Sequence, residues 1–273
     1  MSGKQMSGKI SRSGAGIRLK SICCAAVVFA IAMNCSWAMG QDGIAGDVQQ
    51  AVLVELFTSE GCSSCPPADD NLKRLHELAE ENGYPIYTLS YHVDYWDYLG
   101  WKDRFSSAAA TKRQRRYSAA FGLNRIYTPQ FVVNGQWEFV GSNRAKTRAA
   151  ILKAMDERVP AEIQATAKAA GDKVDVQLTT AGLSKGDRVV IALALKSAKS
   201  KVTRGENARR TLDHIHVVRD FKEVLAANSV TASFTKPADF KEANYHVLAY
   251  AQSAKTLELV GIQEVEIKTG DGA

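Results

Sequence analysis

The chain has 273 residues, 45% hydrophobic and 23% charged, enough to bury cores of ordinary size. Its 35 Lys and Arg exceed its 29 Asp and Glu. Five of those bases and none of the acids fall in the first forty residues, which leaves 30 against 29 beyond them, net +1. So even a balance excludes the basic pI as an argument for a nucleic-acid partner.

Those first forty residues read as a secretory leader. Lys4, Lys9, Arg12, Arg18 and Lys20 form a positive region, followed by an apolar stretch from Ile22 to Met33. That stretch has the length of a signal core and falls short of the roughly 20 residues of a membrane span. Ala38-Met39-Gly40 places small residues where a signal peptidase cuts, so cleavage is expected after Gly40 and export to the periplasm or medium follows. An uncleaved anchor is the alternative. Once Cys23, Cys24 and Cys35 leave with the leader, Cys62 and Cys65 are the remaining cysteines.

The chain is organised around Val52 to Asp70, VLVELFTSEGCSSCPPADD. Val52, Leu53, Val54, Leu56 and Phe57 predict a buried strand. Ser59-Glu60-Gly61 is a turn, Cys62-Ser63-Ser64-Cys65 follows it, and Asp69 to Glu81 has helical spacing in Leu72, Leu75 and Leu78. A C-x-x-C that opens a helix suits dithiol chemistry, because the helix N-terminus stabilises a thiolate on the first cysteine. In an exported chain with no other thiol the pair reads as redox-active. A structural disulfide or half of a metal site are the alternatives, the latter requiring further ligands.

Asn82-Gly83 ends the helix, and Ile86 to Tyr91 alternates as a second strand. His92 to Trp101 is dense in aromatic and titratable groups. It reads either as rings covering the edge of the core or as a wall of the site, with His92 or Asp94 as candidate proton-transfer residues. Asp103 to Phe121 is a predicted helix, and its run Lys112-Arg113-Gln114-Arg115-Arg116 reads as a solvated face. Tyr127 to Val140 is a hairpin around Asn134-Gly135, with Pro129 at the strand start. Ser142 is the expected cap of a last helix, Asn143 to Glu157.

The order β-α-β-α-β-β-α with these motifs resembles the thioredoxin superfamily over residues 51 to about 158. The resemblance implies that Thr128 and Pro129 hold substrate against the disulfide and that Pro129 follows a cis bond. It implies a buried acid exchanging protons with the second cysteine, for which Glu55 is the candidate. Ser63-Ser64 departs from the family's usual Gly-Pro. Leu56–Asp69, Tyr91–Asp103, Tyr127–Gly135 and Arg204–Phe221 together resemble the secreted thioredoxin-like proteins grouped as domain of unknown function 1223.

Beyond Pro160 the chain alternates with period two in seven short segments separated by turn residues. The expected architecture is therefore an α/β thioredoxin-like domain over residues 41–159, followed by a mostly antiparallel β-sandwich-like domain over residues 160–273. His214 and His216 share one predicted strand face, with His246 as a third candidate ligand, or form a half-exposed polar face. Arg204-Gly205-Glu206-Asn207 is a polar turn suited to contact with the first domain or a partner, or simply a turn.

The expected function is thiol–disulfide exchange, with Cys62 attacking and Cys65 resolving, on protein thiols or disulfides. No cofactor, no resident metal, no nucleic acid and no membrane span after leader removal are expected. The alternatives are a binding module with a structural disulfide, and a soft-metal (copper) carrier using Cys62, Cys65 and His92.

Overall fold

The computed structural model describes residues 50–270; the expected leader and its cleavage point lie outside them. The described residues form one compact unit. The first half runs β1 (Val52–Thr58), α1 (Pro66–Asn82), β2 (Ile86–His92), α2 (Ala108–Ala120), β3 (Gln130–Val133), β4 (Trp137–Val140) and α3 (Arg144–Met155). Seven further strands follow: β5 (Glu162–Ala170), β6 (Lys173–Ala181), β7 (Arg188–Lys201), β8 (Thr211–Leu225), β9 (Ser229–Thr235), β10 (Tyr245–Gln252) and β11 (Leu259–Thr269).

Local chemistry explains where the helices begin and stop. Pro66 and Pro67 occupy the first helical positions of α1, where a missing N–H costs nothing, and Gly83 closes the helix in the left-handed region (φ 67°). The α2 helix starts five residues later than the sequence suggests, because the Ser107 side chain accepts the Ala110 N–H and sets the cap there. Asn143 rather than Ser142 caps α3, accepting from the Lys146 N–H at 3.0 Å.

The expected fold class is overturned. The strands do not separate into a thioredoxin-like α/β domain and a β-sandwich; they form one eleven-stranded, mostly antiparallel sheet in the order β4-β3-β1-β2-β8-β7-β10-β11-β5-β6-β9. The junction is a parallel pairing of β2 with β8 at Ser90 and Val217. Alternation along a strand fixes which side chains share a face but not which edge pairs with which. The long hairpin of β7 and β8 uses that freedom to continue the first half's sheet.

The β7 segment shows why the two halves cannot be parted. Val189, Ile191, Leu193 and Leu195 pack with Val174, Val176 and Phe234 of the second half. Its opposite face, Val190, Ala192 and Ala194, packs with Phe57, Leu89 and Tyr91 of the first. On the far side of β1, helices α1 and α3 cover Val54, Leu56 and Phe131. Seven consecutive buried residues in β1 thus anchor a layer on each side of it. A fully buried side chain of this size contributes about 1.5–3 kcal/mol by removal from water.

Candidate functional site

Strands β1 and β2 run parallel, with Thr58 opposite His92, so the turn after β1 and the loop after β2 emerge at the same edge of the sheet. There the chain places Cys62 and Cys65, joined by a disulfide with a Cα–Cα distance of 5.4 Å. Cys65 is the N-cap of α1, and its carbonyl accepts the N–H groups of Ala68 and Asp69 at 2.8 and 3.2 Å. Gly61 lets Trp96 approach closely before the pair: a Cβ there would stand 3.1 Å from Trp96 Cβ. Ser63 and Ser64 are exposed. Both cysteines, by contrast, are fully buried.

Five titratable side chains crowd the same turn. Asp103 Oδ2 accepts from the Glu60 N–H at 2.9 Å and bonds His92 Nδ1 at 2.6 Å. Trp101 Nε1 donates to Glu60 Oε2 at 2.7 Å. His214 stands 3.5 Å from Glu60 Oε1 and 3.5 Å from Asp69 Oδ1, and its ring meets that of His92 with centroids 4.7 Å apart. All five are buried. At 3.5 Å neither contact of His214 is a well-formed hydrogen bond, so charge holds it in place.

Burial alone would lower the pKa of His214, but the facing carboxylates of Asp69 and Glu60 outweigh it and raise the pKa to about 10. The imidazolium is therefore the state at neutral pH. Burial also works to raise the pKa of Glu60, and the facing His214, ahead of the Trp101 N–H, reverses it to a net lowering. Asp103 follows the same pattern: burial raises, the charge and hydrogen bond of His92 lower further, and the net direction is down.

Of the residues singled out from sequence, Thr128 lies at this site through Trp96, whose Nε1 donates to Thr128 Oγ1 at 2.8 Å. The Thr128–Pro129 bond is cis. His92 is in the cluster, tied to Asp103. Asp94 instead accepts from Thr111 Oγ1 at 2.6 Å and fastens the loop to α2.

Glu55 is engaged elsewhere. It accepts from Arg113 Nε at 2.7 Å and from the hydroxyls of Tyr250, at 3.0 Å, and Tyr117. Arg113, read from sequence as part of a solvated face, is buried among Tyr91, Tyr117 and Tyr250, with its charge 5.1 to 5.4 Å from their ring centres. This pair pins β1, α2 and β10 together.

The expected shared face of His214 and His216 does not form as one group. His216 has a left-handed backbone (φ 46°), which breaks the alternation. Its ring packs between His76 and His246, with centroids at 4.4 and 4.7 Å, and Nδ1 meets Thr88 Oγ1 at 2.7 Å. His246 bonds Glu264 at 2.5 Å. Among the described residues no three His, Cys, Asp or Glu side chains stand where they would hold a metal ion. No helix among them is long and apolar enough to cross a membrane.

Glu60, Asp69, Asp103 and Trp96 were not anticipated as a group. Their signal is proximity: Glu60 lies two residues before Cys62, Asp69 four after Cys65, Trp96 in the aromatic loop and Asp103 two residues past its end. Across from them, Asn207 Nδ2 donates to the carbonyls of Glu60 and Cys62 at 2.9 and 3.0 Å. Glu206 accepts the Ser63 N–H at 3.0 Å. The Arg204–Asn207 turn does contact the first half, against the C-x-x-C segment itself.

Residues 53–252 match the model of the family described as protein of unknown function, DUF1223. A protein from Agrobacterium tumefaciens, of known X-ray structure, is 31% identical; the match covers 79% of this chain and 95% of that one, with a TM-score of 0.57. A domain of the outer membrane lipoprotein Omp28 from Porphyromonas gingivalis is 14% identical, covering 41% of this chain and 90% of its own, with a TM-score of 0.26, too low to compare folds. No match was found among curated proteins. The family match spans well over half the chain and takes in the disulfide, the aromatic loop and the Asn207 turn alike, so the chain belongs to the DUF1223 family.

Proposed function

We propose that this protein is a thiol–disulfide exchange protein whose working couple is Cys62–Cys65. The observation that supports it is the disulfide at the N-terminus of α1 beside a buried set of titratable groups, Glu60, Asp69, His92, Asp103 and His214. A helix N-terminus favours a thiolate, and buried acids and bases with shifted pKa values, here Glu60, Asp103 and His214, mark sites where protons move.

The reaction is a two-electron exchange. A partner thiolate attacks one sulfur of the disulfide, the Cys62–Cys65 bond breaks, and a mixed disulfide forms. The partner's second thiol then displaces the bound sulfur, closing its own disulfide and leaving Cys62 and Cys65 as thiols. In reverse, the Cys62 thiolate attacks a partner disulfide, and Cys65 resolves the mixed intermediate. Thr128 and Pro129 provide the wall along which an extended partner segment lies. The site of action is outside the cytoplasm, a placement that rests on the leader pattern.

Equilibration in graded glutathione buffers tests this. A working couple shows a reversible midpoint between roughly −270 and −120 mV, and a Cys62→Ser variant loses all exchange. A disulfide that stays closed above about −300 mV overturns the proposal. It would favour a second reading, a binding module with a structural disulfide, which the complete burial of both cysteines already supports.

A further inference from the structure

The cysteines are buried although the two serines between them are exposed. Against the segment lies the tip of the β7–β8 hairpin, residues 202–210, bonded to its backbone at Glu60, Cys62 and Ser63. The tip is a preformed unit. Val202 and Arg210 close it, with the Val202 N–H on Arg210 O at 3.0 Å and the Arg209 N–H on Val202 O at 2.8 Å. Gly205 turns in the left-handed region, where a Cβ would stand 3.1 Å from Trp101 Cβ, so the tip seats on the aromatic loop without a gap.

Its contacts with the C-x-x-C segment are few and specific. Asn207 is fully buried and bridges the carbonyls of Glu60 and Cys62. Its own Oδ1 is held by Arg210 Nη1 at 2.9 Å, which fixes the amide's orientation. Glu206, exposed, takes the Ser63 N–H. These are polar contacts at the end of a long two-stranded arm, and breaking them leaves the rest of the arm paired within the sheet.

We propose that the β7–β8 tip is a gate over the Cys62–Cys65 disulfide, latched by Asn207 and Glu206, and that the sulfurs react with an external thiol when the latch opens. The gate gives the second half of the chain a task at the disulfide. If the exchange reading holds as well, the gate restricts partners to those able to displace the tip; the gate itself rests on the geometry alone.

The test is the rate at which dithiothreitol reduces the disulfide in the full chain, followed by alkylation and mass. This dithiol supplies both electrons and leaves as its own cyclic disulfide. Removing the two Asn207 bonds in Asn207→Ala is expected to speed reduction roughly tenfold, and Glu206→Ala about threefold, the ratios that net hydrogen bonds of this kind are worth. Glu266→Ala, a surface change at the Lys196 pair, keeps the parent rate. Glu206 is exposed, so its variant decides the matter if Asn207→Ala does not fold. Rates within twofold of the parent in the folded latch variants overturn the gate. A couple that glutathione never reduces, but that dithiothreitol reduces faster in the variants, keeps the gate and removes the exchange reading; the opposite pattern does the reverse.

Discussion

Replacing Glu55 with Gln separates a structural acid from a proton-transfer acid. The carboxylate is almost fully buried and receives Arg113 Nε, the Tyr117 hydroxyl and the Tyr250 hydroxyl. Glu55→Gln keeps the shape but leaves the Arg113 guanidinium buried without its counter-charge, a loss of about 3–5 kcal/mol for a broken buried pair. The new amide NH2 also faces donors, so one of the three loses its acceptor, a cost of about 1–3 kcal/mol contained in that range. Because domains of this kind are stable by about 5–15 kcal/mol, the variant is expected to fold with a much lower urea midpoint and an unchanged slope. The double variant Glu55→Gln/Arg113→Gln recovers part of the loss, since the stranded charge is gone. The disulfide's redox midpoint should not move in Glu55→Gln. A stability change under about 1 kcal/mol, or a shifted midpoint at intact stability, would refute the structural role.

Three further outcomes follow from the same geometry. Burial, then the neighbouring His246 and His76, lower the pKa of His216 to about 3; the unfolded chain binds that proton more readily, so stability falls as pH drops from about 6.5 towards 3. Urea midpoints across that window should fall less steeply in His216→Gln, and equal slopes would count against the account. His214, raised to about 10, has the opposite sign. Its contribution is full below about pH 6.5 and lost as pH rises through 10, so thermal midpoints between pH 7 and 10 should decline in the parent and stay flatter in His214→Gln. At Gly135 the backbone is left-handed (φ 68°) and a Cβ would stand 2.0 Å from the Leu257 carbonyl oxygen. Gly135→Ala should therefore cost about 2–3 kcal/mol in urea unfolding, and a neutral substitution would show that the 253–259 turn yields freely.

Much of the element order was readable because the residues that write it act locally. Asn134-Gly135 turns the β3–β4 hairpin with both residues left-handed, Gly83 stops α1, and period-two alternation marks β5, β6 and β9 with one face buried. What was not readable depends on partners distant in sequence. The basic run of α2 follows the rule of a solvated face except where the helical period turns Arg113 and Gln114 inward. Arg113 shares its face with Ala110 and Tyr117, all three buried, and its reason to be there is the acid on β1, with Gln252 of β10 as a further acceptor. Two segments of the second half did carry a warning against a separate sandwich. RVVIALAL in β7 and YHVLAYAQ in β10 do not alternate in polarity, and both are buried on both faces. A continuous apolar run marks a strand covered on each side, which a two-layer sandwich with a solvated exterior does not supply.

That double burial bears directly on the disulfide. With β7 held in the middle of the sheet, its hairpin partner β8 is fixed beside β2, and two parts of the same hairpin reach the C-x-x-C segment. His214, on β8, sits between Glu60 and Asp69, while Asn207, at the tip, ties the carbonyls of Glu60 and Cys62. The charge balance beside the disulfide and the proposed latch thus both come from the second half. A first half expressed alone would keep two cysteines and lose the imidazolium between their neighbouring acids, along with the whole of the latch. The unit on which any activity of Cys62 and Cys65 depends is therefore the continuous sheet, not the helix and strand that carry the cysteines.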